Sequence, residues 1–245
     1  MTEDALITEE SVNHFSQSVL FARICLLLIL ALNAAHGQEP RVRPGVNGPF
    51  VAPDFQQWVA RFERPGREVY DQRHQIVAAS GVKAGMTVAD IGAGTGLFTR
   101  LFAERVGASG TVYAVDISKV FVDDILRLSR EQGMHDVKGV VDSSTDVGLP
   151  PQSIDTAFIC DTYHHFEAPL EMMQSIRRAL KPGGQVIVID FRKIPGVSRA
   201  WVMGHVRADQ AQVVREIEST GFRLVEDSDL LKSNYFLRFE RRDGR

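Results

Sequence analysis

Cysteine is scarce in this chain: there are two in 245 residues. Cys25 lies in an N-terminal apolar run and Cys160 in a predicted buried strand. Those two settings argue against a disulfide, so the cysteines mark no redox compartment. An excess of either charge is also lacking. Twenty-eight basic residues face 31 acidic ones, for a net charge of −3, which removes the general electrostatic ground for nucleic-acid binding. The tail residues Arg238, Arg241, Arg242 and Arg245 are interrupted by Glu240 and Asp243 and read as a solvated end. No internal repeat and no added substrate domain is visible. No second Cys or His cluster accompanies His164 and His165 along the chain, so no metal site is expected.

Also missing is an apolar run of the roughly 20 residues that a membrane span requires. The stretch Ile24 to Leu32, after Arg23, is well short of that and suits the core of a secretory signal. Ala35 and Gly37 flank His36, which places a cleavage site after Gly37. Glu3, Asp4, Glu9 and Glu10 are wrong for a basic leader and fit a start site assigned too early. With Val19 to Ala22 included, the segment lengthens into an uncleaved anchor. Residues 1–37 are therefore expected to be a signal peptide or N-terminal anchor. Residues 38–53, rich in proline and glycine, are expected to be a linker, and 54–245 one folded domain. Export or membrane attachment is the expected localisation. The alternative is a cytoplasmic protein with an amphipathic or buried N-terminal helix.

From Asp54 onward, helical and strand patterns alternate, which predicts an α/β fold around a parallel sheet. Asp54 is a candidate cap for a helix through Trp58 and Phe62, ended by Pro65-Gly66. A second helix is predicted from Glu68 to Ser80. Strands are predicted at 86–91, 112–115, 137–141, 154–160 and 185–190, with two more at 222–226 and 235–240. Between them, helices are predicted at 97–106, 120–132, 169–180 and 209–220.

The first strand runs into Gly92-Ala93-Gly94-Thr95-Gly96 and then a helix. Glycines let the backbone turn sharply and approach a ligand, and the helix start offers unpaired N–H groups. A dinucleotide fingerprint requires a third glycine where this chain has Leu97, so a nicotinamide-dependent oxidoreductase is disfavoured. Asp90, before the loop, suits a cationic ammonium better than a pyrophosphate. Asp116, ending the second strand, is placed to accept two ribose hydroxyls.

These residues resemble the class I S-adenosylmethionine-dependent methyltransferases. The resemblance is carried by Val88 to Gly96, by Tyr113-Ala114-Val115-Asp116-Ile117-Ser118 and by Leu180-Lys181-Pro182-Gly183-Gly184, and it covers roughly 70–242. It implies a Rossmann-like, doubly wound, seven-stranded sheet with an antiparallel last strand. It also implies S-adenosyl-L-methionine as cofactor. Asp90, Gly92, Gly94 and Gly96 would hold the methionine part, Asp116 and Ile117 the ribose side, and Asp142 and Ser143 the adenine. Asp161, Tyr163 and His164 would face the sulfonium and the acceptor.

Methyl transfer from a sulfonium is mainly a matter of alignment. An oxygen or nitrogen acceptor also loses a proton, for which His164 and His165 are the candidate bases. The helices before Met86 are expected to form a lid, and Phe191 to Arg207 a second pocket wall. Trp201 and Met203 on that wall fit either an apolar acceptor or core packing. The expected partner is a small-molecule acceptor. A cofactor-binding module without catalysis is the competing class.

Overall fold

The computed structural model describes residues 45–242. The expected signal or anchor and most of the expected linker lie outside the described residues. The elements run as α1 (Gly48–Val51), α2 (Phe55–Phe62), α3 (Glu68–Asp71), α4 (Arg73–Ala79), β1 (Thr87–Ile91), α5 (Leu97–Val106), β2 (Thr111–Asp116), α6 (Lys119–Glu131), β3 (Val137–Val141), β4 (Ile154–Cys160), α7 (Pro169–Ala179), β5 (Leu180–Phe191), α8 (Ala200–His205), α9 (Gln210–Ser219), β6 (Phe222–Ser228) and β7 (Asn234–Arg241). Short 3-10 turns follow α5 and β4.

The seven strands form one sheet in the order β3-β2-β1-β4-β5-β7-β6. Strands β1 to β5 pair in parallel, and β7 runs antiparallel to both β5 and β6. The central strands are apolar on both faces because helices cover both faces. Val88, Phe158 and Ile187 face one buried cluster with Ile76, Phe98, Phe102 and Ile125. Ala89, Ala157 and Val186 face the other with Met172, Ile176, Val213 and Ile217. The sheet is thus doubly wound, as expected. The chain reverses its winding direction between β1 and β4, where such folds open a crevice at the carboxyl ends of the strands.

Three local details depart from the sequence reading. The predicted helix from Glu68 to Ser80 is split by Gln72, which leaves the helical backbone region. Leu180 pairs with Ile154 and Gln185 with Thr156, so the Lys181–Gly184 turn is a bulge inside a longer β5. Residues 45–53, read as the end of a linker, carry α1 and place Phe50 4.8 Å from Trp58 and 6.3 Å from Phe121, ring centre to ring centre. Asp54 caps α2 through Gln57 N–H at 3.1 Å. Together α1 to α3 form the helical lid. Glu68 latches it to the β6–β7 loop by accepting from Lys232 N–H and Ser233 N–H, each at 2.7 Å. Among the described residues, no helix is long and apolar enough to cross a membrane.

Candidate active site

A cavity of about 1050 Å³ lies over the carboxyl ends of β1, β2, β4 and β5 and under the lid. Its first half is built by the glycine loop. Gly92 N–H and Ala93 N–H both donate to Val115 carbonyl oxygen, at 2.8 and 3.0 Å, which ties the loop to β2. Gly92 has φ +70, and a Cβ there would run into the Thr162 side chain. Gly96, at φ +75, opens α5, and its missing Cβ leaves room for Ile125. Both glycines are thus required by conformation and by close approach.

Three carboxylates line this half. Asp90 is 3% exposed and accepts from Thr99 Oγ1 at 2.6 Å. Burial pushes its carboxyl up to about 7. Asp116 accepts from Gly94 N–H and Ser118 N–H, each at 2.8 Å. Burial outweighs those two bonds and raises it to about 6. Asp142 is raised to about 7 by burial and then by the neighbouring Asp116 charge. Its Oδ1 is buried with no hydrogen-bond partner. A buried acceptor without a donor is costly and marks a place where a ligand donor belongs. Ile117 and Ser143 lie at the rim beside them. The Ser143 hydroxyl is taken up by its own loop, accepting from Asp146 N–H at 3.0 Å.

The other half is aromatic. Phe50, Trp58 and Phe62 come from the lid, Phe191 from the end of β5 and Trp201 from α8. Between these walls lie three histidines. His164 is 4% exposed. Its Nδ1 lies 2.7 Å from Asp190 Oδ1, and its backbone N–H donates to Asp190 Oδ2 at 3.0 Å. Burial alone would lower its pKa, but the Asp190 charge and hydrogen bond win, and it stands above the usual histidine value. His165 Nδ1 lies 3.0 Å from Asn47 Oδ1. Burial, helped by the His164 and His205 rings, pushes His165 down to about 3. His205, at the end of α8, lies 5.1 Å from each of the other two rings, centre to centre.

The methyltransferase domain family profile matches residues 89–188. The Citrobacter koseri ubiquinone/menaquinone biosynthesis C-methyltransferase UbiE is 30% identical over 173 residues, covering 64% of this chain and 67% of that protein. The chain belongs to the class I S-adenosylmethionine-dependent methyltransferases. The UbiE of a Marinomonas strain is 34% identical over 127 residues, covering 50% of this chain and 49% of its own. The methyltransferase thus spans about half to two thirds of the length of these curated relatives. In structure it resembles a SAM-dependent methyltransferase from Aquifex aeolicus, with TM-score 0.69, 23% identity and coverage of 78% of this chain and 100% of the other. The [4+2]-cyclase SpnF is also similar, with TM-score 0.68, 16% identity and coverage of 84% and 97%. At these identities the likeness is one of fold.

The cofactor of this methyltransferase is S-adenosyl-L-methionine, and the first half of the cavity fits it. The orphaned Asp142 Oδ1 suits an adenine amino group, Asp116 suits vicinal hydroxyls and Asp90 suits an ammonium. The expected cofactor residues Asp90, Gly92, Gly94, Asp116, Ile117, Asp142 and Ser143 all line one cavity. Gly96 stands behind the loop and starts α5.

On the acceptor side, His164 lines the cavity as expected. Asp161 lines it too, but as an anchor: in a left-handed conformation (φ 51) it pairs with Arg67 of the lid at 2.7 Å and accepts from Asn234 Nδ2 at 2.6 Å. Tyr163 requires a correction. It was expected on the pocket wall, yet it is wholly buried in the core, its hydroxyl donating to Glu216 Oε2 at 3.0 Å. The 3-10 turn Tyr163–His165 sends Tyr163 into the core and both His164 and His165 to the cavity.

Sequence reasoning missed Asn47, Asp190 and His205. Asp190 carried a signal, since it ends the fifth predicted strand as Asp116 ends the second. Pairing of Cys160 with Ile189 sets it beside the turn that bears His164.

Proposed function

We propose that this enzyme methylates a small aromatic acceptor that carries a ring hydroxyl. The observation behind this reading is the union, in one cavity, of a cofactor cradle with an aromatic chamber whose polar lining includes histidine side chains. S-Adenosylmethionine supplies an electrophilic methyl group on a sulfonium and departs as a neutral thioether. Asp116 would hold the ribose hydroxyls with Ile117 beside it, Asp142 and Ser143 would meet the adenine, and Asp90 with the glycine loop the methionine end. Phe50, Trp58, Phe191 and Trp201 would sandwich the acceptor ring and exclude water.

With its Nδ1 on Asp190, the neutral His164 ring would turn its Nε2 lone pair to the acceptor hydroxyl. We assign the handling of that proton to His164. Ionising a ring hydroxyl enriches both the oxygen and the ring carbons beside it. The relatives' name, a C-methyltransferase of ubiquinone and menaquinone biosynthesis, favours carbon as the receiving atom.

The test pairs binding with turnover. Wild-type protein, methyl-labelled cofactor and a panel of phenols, catechols and hydroquinones should yield a labelled ring product. Asp116→Ala should weaken S-adenosylhomocysteine binding well over tenfold, from the loss of two charge-assisted hydrogen bonds of about 1.5–3 kcal/mol each. Labelling confined to non-aromatic acceptors in a cell extract would overturn the aromatic assignment.

A further inference from the structure

We propose that His164, His165 and His205 form a binding site for a borderline first-row divalent metal ion, of the zinc class, with an open position facing the acceptor half of the cavity. Each of the three offers a ring nitrogen, and these nitrogens all lie within 4.8 Å of one another. Tetrahedral zinc bonds of about 2.0–2.1 Å place imidazole nitrogens roughly 3.4 Å apart, so the triangle closes with ring movements of order 1 Å. All three residues line the cavity.

The surroundings prepare two of the rings for this role. Asp190 Oδ1 already accepts Phe191 N–H at 2.8 Å, and an ionised carboxylate can only accept, so His164 Nδ1 is an N–H and, in the neutral ring that a metal takes, Nε2 holds the lone pair. Asn47 Nδ2 donates to His165 carbonyl oxygen at 3.2 Å and to Glu167 Oε1 at 2.9 Å, which fixes its amide orientation. Asn47 Oδ1 is then the acceptor, His165 Nδ1 the donor, and His165 Nε2 again the free lone pair. A metal-bound histidine characteristically donates its other N–H to a carboxylate or carbonyl, and both rings do so here. Three imidazoles with an open fourth place match catalytic rather than structural zinc.

Binding of the ion stands independently of the methyl-transfer reading; its role rests on that reading. An acceptor hydroxyl in the fourth position would lose its proton to water more readily, with no change in the metal's oxidation state. His164 would then serve as a ligand, and all three histidines would matter alike.

The experiment is a titration of chelator-stripped full-length protein with Zn²⁺, and with Co²⁺ as a spectroscopic probe. Wild type should take up one equivalent and give an intense, tetrahedral-type cobalt spectrum. His165→Ala and His205→Ala should each lose that spectrum, and Asp190→Asn should weaken zinc binding about 10–100-fold. S-Adenosylhomocysteine affinity, measured on the same samples, reports folding and the cofactor site separately. Zinc uptake by wild type no greater than by the triple alanine variant, with S-adenosylhomocysteine still bound, would overturn the metal site and leave the methyltransferase reading standing. Metal uptake as expected without methylation of any aromatic acceptor would do the reverse.

Discussion

Single atoms decide much of this site. Gly92 lacks the Cβ that Thr162 would meet and holds a φ that L side chains rarely adopt. Gly92→Ala therefore carries a left-handed backbone cost of about 1–2 kcal/mol besides moving Thr162 away from the loop. Thermal unfolding should occur several degrees lower, at about 2–4 °C per kcal/mol for a domain of this size. S-Adenosylhomocysteine affinity should fall about 2–5-fold if half of that strain is relieved by distorting the loop. A variant with wild-type affinity would show that the loop does not approach the ligand. Among the candidate residues, those placed by local backbone geometry could be put beside the cavity from spacing alone, because a strand, a glycine turn and a helix start are local. Tyr163 was not legible. Tyr163 turns inward while His164 and His165 beside it face the cavity, and only Glu216, fifty-three positions on, shows which residue of the turn is buried in the core.

At the scale of elements, strand and helix positions followed from local periodicity. What joins them did not. The His165–Asn47 contact spans 118 positions, and His205 reaches the other histidines only because α8 folds back over β5. A buried ion pair anchors that return. Arg207, two residues past α8, forms a bidentate pair with Glu216 of α9, both bonds at 2.6 Å, with side chains 2% and 1% exposed. Gln212 and Tyr163 donate to the same carboxylate. Removing one partner of a buried pair leaves the other charge stranded and costs about 3–5 kcal/mol. Glu216→Ala should therefore lower unfolding free energy by that amount in urea denaturation. Replacing Arg207 and Glu216 together with apolar residues of similar volume should recover most of it. A single-mutant loss below about 1 kcal/mol would mean that water reaches the pair.

Across the whole molecule, the sheet sends Asp90, Asp116, Asp142, Asp161 and Asp190 to one edge. Arg67 meets Asp161 and His164 meets Asp190. The other three face the cofactor half and stand raised at about 7, 6 and 7. A carboxyl whose folded pKa lies above its unfolded value, about 3.9, stabilises the fold in its neutral form. That contribution is complete below pH 4 and is lost as pH rises to 6–7. His165, held near 3, works the other way up to its unfolded pKa of about 6.5, but it stands against these three and against Asp161 and His164, which are also raised. Stability of the ligand-free protein should therefore decline from pH 5 to pH 7. A bound ligand reverses the balance. An ammonium at Asp90, ribose hydroxyls at Asp116 and an adenine amino group at Asp142 all favour the ionised carboxylates. The rise in unfolding temperature produced by saturating S-adenosylhomocysteine should therefore grow steadily between pH 5 and pH 8. Asp116→Asn, which cannot ionise, should flatten that growth. A ligand-induced rise independent of pH in the wild type would mean that these three carboxylates do not meet the cofactor.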